Sequence, residues 1–122
     1  MLIPFLIAKI HRATVTGADL HYEGSIAIDE EIMEKGGLRV FQKVDVYNVN
    51  NGARWSTYVL PWPRGTRGIV VNGAAARLVH PGDLLIIAAY ALLDEKELNS
   101  LSAIILTMGP GNEVEKITHT KL

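Results

Sequence analysis

Turn residues cut this chain into short apolar runs, and that punctuation constrains the fold more than any other feature. Gly36-Gly37, Asn51-Gly52, Pro61 and Pro63, His80-Pro81-Gly82-Asp83 and Gly109-Pro110-Gly111-Asn112 break up segments rich in β-branched residues. Between them, Phe5 to Thr16, Ser25 to Asp29, Lys43 to Val49, Arg54 to Leu60, Gly68 to Val71, Leu84 to Leu93, Ser102 to Thr107 and Val114 to Thr118 read as strands. Three helical pieces fit in the gaps. Asp29 can cap Glu30 to Lys35, with Gly36-Gly37 as the stop, Asn72 to Arg77 is a small-residue stub, and Asp94 to Leu98 is short. No repeat, linker or low-complexity tract interrupts the pattern. The expectation is one mainly β domain over residues 1–122, a compact barrel with a few short helices.

Composition narrows the chemistry. Net charge is −1, from 12 Lys+Arg against 13 Asp+Glu, which argues against a nucleic-acid partner held by phosphate neutralisation. The chain has no cysteine, so disulfides, thiolate nucleophiles and iron–sulfur clusters are excluded, and a cytoplasmic location is expected. His11, His21, His80 and His119 show no metal-ligand spacing, so no metal is expected. Leu84 to Leu93 is the longest charge-free apolar stretch near the middle, about half of the ~20 residues a spanning helix needs. The apolar start, Met1 to Ala8, lacks a basic region before it and a cleavage site after it, so it reads as a first strand. No membrane partner is expected.

Familiar catalytic patterns fit poorly. Ser25 lacks the G-x-S-x-G elbow of a hydrolase, and Gly109-Pro110-Gly111 lacks the third glycine of a dinucleotide loop. The hairpin at Asn51-Gly52 is more suggestive. A two-residue loop there pairs Asn50 with Ala53, Val49 with Arg54 and Tyr47 with Ser56. Alternation then sets Arg54, Ser56, Tyr58 and Tyr47 on one face. A cation and two phenols on one surface could grip a carboxylate and move a proton; taken alone, ordinary cross-strand packing on a solvated face accounts for them more readily. Alternation also sets Thr57 and Tyr58 on opposite faces, so either a bulge re-aims one or the site uses both faces between subunits.

The segments Lys9 to Thr16, Ala18 to Ser25, Asn51 to Tyr58, Val71 to Ala76 and Pro81-Gly82-Asp83 resemble, in order, the bacterial pyruvoyl-dependent aspartate decarboxylase family. The resemblance is specific as far as Tyr90 and general beyond it. It implies a double-psi β-barrel and a homotetramer with sites between subunits. It also implies cleavage at Gly24–Ser25, by attack of the Ser25 hydroxyl on the Gly24 carbonyl. The products would be fragments 1–24 and 25–122, the larger headed by a pyruvoyl group made from Ser25. The implied reaction takes L-aspartate to β-alanine and CO₂ through a Schiff base on that ketone, with no external cofactor, and supplies pantothenate synthesis.

By the same resemblance, Arg54 holds a substrate carboxylate, Lys9 is a second cation, and Tyr58 returns the proton to Cα. Thr57 serves both processing and substrate binding, and Asn72 with the N–H groups of Gly73, Ala74 and Ala75 steadies negative charge. Tyr47 stands where family members often carry tryptophan, which keeps an aromatic wall but changes its width. Gly24, lacking a Cβ, would let the backbone take strained dihedrals at the scissile bond. A maturation factor is a candidate partner, because the sequence does not say whether cleavage is spontaneous. Two rival functions stay open: a non-enzymatic β-barrel interaction module, and the same chemistry on another acidic amino acid.

Overall fold

The computed structural model of the chain describes residues 1–121; Leu122, the last residue of the expected 25–122 fragment, lies outside the described residues. Nine strands run in chain order as β1 (Ile3–Thr14), β2 (Gly17–Asp19), β3 (Ser25–Asp29), β4 (Lys43–Asn48), β5 (Arg54–Trp62), β6 (Ile69–Asn72), β7 (Leu84–Leu93), β8 (Ser102–Met108) and β9 (Val114–Lys121). Two short helices, α1 (Glu30–Gly36) and α2 (Glu95–Leu98), and two 3₁₀ turns, Gly73–Leu78 and Pro110–Asn112, join them. The protein is mainly β with a few short helices, and its strands lie in the order β2-β6-β3-β5-β4-β7-β1-β8-β9.

Local chemistry explains most boundaries. Asp29 accepts a hydrogen bond from the Glu31 N–H and starts α1, while Gly37, at φ +70°, ends it by donating to Glu34 O and Met33 O. Alternation along the central strands buries Ala8, Ile10, Val44, Val46, Val59, Leu85 and Ile87, which join Ile26, Ile28, Ile69 and Val71 in one core. β7 departs from the expectation of a buried strand. Its first half packs into the core, but Tyr90 and Leu92 are exposed near its end.

The 4–5 hairpin differs from the expected register. Tyr47 pairs with Arg54 and Asp45 with Ser56, two residues away from the pairing a two-residue loop would give. The cause is Asn48, which is buried rather than facing the solvent. Its side-chain N–H donates to Leu78 O and Asp83 Oδ2, and its Oδ1 accepts from the Asn50 N–H. These bonds widen the loop, so only Gly52 takes a positive φ, and Asn51 does not. A shift of two preserves the faces, so Tyr47 still stands beside Arg54.

β5 is the strand that positions the site. Up to Tyr58 it pairs antiparallel with β4, and from Val59 it pairs parallel with β3. Pro61 does not end it, contrary to expectation: it pairs with Ile28 of β3, and β4 has no residue opposite it on the other edge. The three-residue strand β2, parallel to β6, was not expected from the sequence.

Candidate active site

The change of partner along β5 brings distant residues to one level. Ile26 pairs with Val59 on one side and Val71 on the other, and all three are fully buried. One step earlier, Ser25 pairs with Asn72, and the same register sets Ser25 level with Tyr58. Ser25 is 1% exposed and Asn72 5%, although each carries a polar side chain. They satisfy one another: Asn72 Nδ2 donates to Ser25 Oγ at 3.3 Å, and that hydroxyl reaches Glu23 O at 3.4 Å.

The glycine requirement falls on Gly73 rather than Gly24. A Cβ on Gly24 would meet nothing within 4 Å, and Gly24 takes no positive φ. Gly73 sits at φ +77°, and a Cβ there would lie 2.7 Å from Gly24 Cα and 2.9 Å from its nitrogen. The expectation of strain at Gly24 is therefore corrected: the Gly73 backbone covers the Gly24 peptide so closely that only hydrogen fits. Gly73 opens the 3₁₀ turn over Ala74 and Ala75, of which Ala74 is exposed. The side chain of Asn72 does not cap that turn, because it is committed to Ser25.

A second group lies along the same face of β5. Arg54, Ser56 and Tyr58 alternate outward, and the regular 4–5 pairing shows no bulge between them. Thr57, opposite Val44, points to the other face, so the bulge alternative is removed. The Arg54 guanidinium lies 3.9 Å from the centroid of the Tyr47 ring. Asp45 accepts a hydrogen bond from Ser56 Oγ at 2.6 Å. Lys9 reaches this face through β7: Lys9 pairs with Ala88, Ala88 with Asp45 and Asp45 with Ser56. Tyr47, Arg54, Asp45, Trp55 and Ser56 line a groove of about 260 Å³.

Tyr58 belongs to both groups. It shares a face with Arg54 and a level with Ser25, and its ring packs against Phe41 with centroids 6.1 Å apart. Arg54 stands four residues from Tyr58, about 13 Å along the strand at 3.3 Å per residue.

The sequence reading missed Tyr90. Its hydroxyl lies 3.3 Å from the Tyr47 hydroxyl. That hydrogen bond, then burial and the charges of Tyr47 and Asp45, push the Tyr90 phenol above its ordinary range against an opposing pull from Arg54. Leu84 to Leu93 is too uniformly apolar for the tyrosine to have stood out. His11 takes no part in these bonds. Its buried Nδ1 has no partner among the described residues, and burial, then Lys9 and Arg12, hold it below the usual histidine range.

The family model described as Aspartate decarboxylase matches residues 1–115. A protein of Sulfurimonas denitrificans named aspartate 1-decarboxylase is 53% identical over 117 residues, covering 96% of this chain and 97% of that one. One of the same name from Methylibium petroleiphilum is 52% identical over 92% of this chain and 93% of its own. A third, from a Sulfurihydrogenibium species, is 59% identical over 78% of this chain and 71% of its own.

Proposed function

The chain belongs to the aspartate decarboxylase family, and on that premise we propose how its own residues remove carbon dioxide from L-aspartate to leave β-alanine, a precursor for pantothenate. The observation that carries the reading is the corner at the head of β3. A serine with almost no exposure is held there by Asn72, beside a glycine peptide against which Gly73 leaves no room for a Cβ. Such a corner suits a prosthetic group made in place from Ser25, since the group itself needs no more room than the serine it replaces.

Maturation then uses only this chain and water. Ser25 Oγ adds to the Gly24 carbonyl carbon, its proton passes to the departing Ser25 nitrogen, and the peptide becomes an ester. Loss of the Ser25 Cα proton expels the Gly24 carboxylate, and water replaces the α-nitrogen as ammonia. Fragments 1–24 and 25–122 result, the second headed by a pyruvoyl group. The ketone supplies a place for the electron pair that CO₂ leaves behind.

The remaining residues bind and move protons. Arg54 offers a planar fork that matches a carboxylate with two parallel hydrogen bonds. Lys9 adds a second cation on the same face, Tyr47 forms a wall, and Thr57 contributes from the opposite side. Tyr58, level with Ser25, offers the hydroxyl that returns a proton to the substrate Cα. Asn72 and the N–H groups of Gly73, Ala74 and Ala75 steady developing negative charge beside it. The ~13 Å between Arg54 and Tyr58 supports a site shared between subunits, where one subunit's Arg54 face meets a neighbour's Ser25 corner, as in the homotetramer that the resemblance implies. The strand pattern is read in the same way as a cytoplasmic double-psi barrel occupying one domain.

Intact mass tests the whole reading. Two fragments are expected, the larger one ammonia lighter than a chain beginning with Ser25. A single unbroken chain in material that releases CO₂ from aspartate would overturn it. An unbroken and inactive chain would favour the interaction module, and faster turnover of glutamate than of aspartate would change the substrate only.

A further inference from the structure

The pairing of β4 with β7 sets Tyr47 opposite Ile86, four residues before Tyr90, so two phenols share one sheet face beside the cation assigned to the substrate. The Tyr47 and Tyr90 hydroxyls are 3.3 Å apart, and either can donate. On the other side of Tyr47, the Arg54 guanidinium lies 3.9 Å from the ring centroid. Tyr47 and Arg54 line one groove, and Tyr90 lines a larger one of about 480 Å³ with Lys43, Pro4 and Leu92. Asp45 lines both, so it stands between the grooves, with Tyr90 in one and Tyr47 in the other.

An exposed arginine samples many rotamers and loses that freedom when it grips a ligand. A cation–π contact restrains it only if the ring itself is held. Tyr90 is the one hydrogen-bond partner of the Tyr47 hydroxyl among the described residues. The phenol of Tyr90 is shifted up, first by this hydrogen bond to Tyr47.

We propose that Tyr90 is a positioning residue for substrate capture: through Tyr47 it holds the Arg54 guanidinium in the pose that receives the substrate carboxylate. The inference rests on Arg54 being the carboxylate holder. Tyr90 itself touches no reacting atom and leaves chain cleavage alone.

Steady-state kinetics on fully processed Tyr90→Phe, Tyr47→Phe and the double variant test it, with Arg54→Ala as the reference. Tyr90→Phe should raise KM for aspartate about three- to tenfold, the range one exposed hydrogen bond allows, at unchanged kcat. The double variant should be no worse than Tyr47→Phe alone, because each single change breaks the same bond. An unmoved KM in Tyr90→Phe, or additive losses in the double variant, overturns the proposal. So does a drop in kcat and thermal midpoint with KM unchanged, which marks a purely structural residue. If Arg54→Ala raises KM and Tyr90→Phe does not, only the role of Tyr90 falls. If Arg54→Ala leaves KM unchanged, the carboxylate is held elsewhere and both readings fall together.

Discussion

The corner around Ser25 and the face around Arg54 are built to opposite standards. In the corner, Ser25, Asn72 and Gly73 are buried, their polar atoms are matched, and a Cβ on Gly73 would strike backbone. On the face, Arg54 is exposed and is held by a ring stack and one phenol pair. The difference follows the work each is asked to do. Breaking a peptide bond needs two atoms of one chain in fixed geometry, and about 1 Å of error is costly. Catching a charged, mobile ligand needs reach and field more than rigidity. Side-chain changes on the face should therefore alter turnover and spare chain cleavage, whereas backbone changes in the corner should slow cleavage itself and lower turnover only through the missing ketone.

Tyr58 gives the sharpest separation, since it faces both regions. Tyr58→Phe keeps the ring against Phe41 and removes the proton donor. It should cleave normally and lose roughly 10²- to 10⁴-fold in kcat, the span of general acid catalysis. Single-turnover rates on mass-verified protein measure this, and a wild-type kcat would move the proton source elsewhere.

The two glycines come next. Gly73→Ala puts a Cβ 2.7 Å from Gly24 Cα at φ +77°, so cleavage should slow about 100-fold. Gly24→Ala points its methyl into open space and should disturb the fold far less. A time course of intact mass for both variants decides. Equal slowing would mean that the strain sits at Gly24 after all, as the sequence alone suggested.

That glycine shows where sequence reading stops. Alternation along β5 correctly grouped Arg54, Ser56 and Tyr58, because a period of two is local. The grouping survived an error of two in the hairpin register, since such a slip returns each side chain to its own face. The slip itself was not legible: Asn48 closes the loop by bonding Leu78 O and Asp83, partners 30 and 35 residues away. The exchange of partners that lets β5 run through Pro61 depends on β3, and the approach of Gly73 to Gly24 spans a similar length of chain. The Ser25–Asn72 contact was not legible: the resemblance gave each residue a role, but no local pattern joins residues 47 apart. Tyr90 was hidden in an apolar run whose outer half turned out to be exposed.

Arg54→Ala should cost about 10- to 100-fold in kcat/KM, mostly through KM, because it removes charge-assisted hydrogen bonds to a carboxylate. Chain cleavage should proceed at the wild-type rate, since among the described residues Arg54 takes no part in the hydrogen bonds that hold Ser25. An Arg54→Ala chain that fails to cleave would break the division between the two regions.

The smallest effect concerns what holds the corner in place. Asp29 ends β3, five residues of which begin with Ser25, and it is 1% exposed. Burial alone would push its carboxyl up. The N–H groups of Glu31, Arg67 and Gly65, with the nearby Arg64 charge, outweigh it, and the net shift is downward. A carboxyl shifted down in the folded chain stabilises fully above the ordinary carboxylate range. That stability is lost as the pH falls through the ordinary range towards the lowered value. Asp29→Asn turns one acceptor towards Arg67 into a donor, so it should cost about 2 kcal/mol at neutral pH by urea unfolding. The gap between wild type and variant should narrow as the pH approaches 3. A gap that stays constant with pH would show that the ionised carboxylate does not tie β3 to the 63–67 loop, and would leave the rigidity of the corner to Asn72 and Gly73 alone.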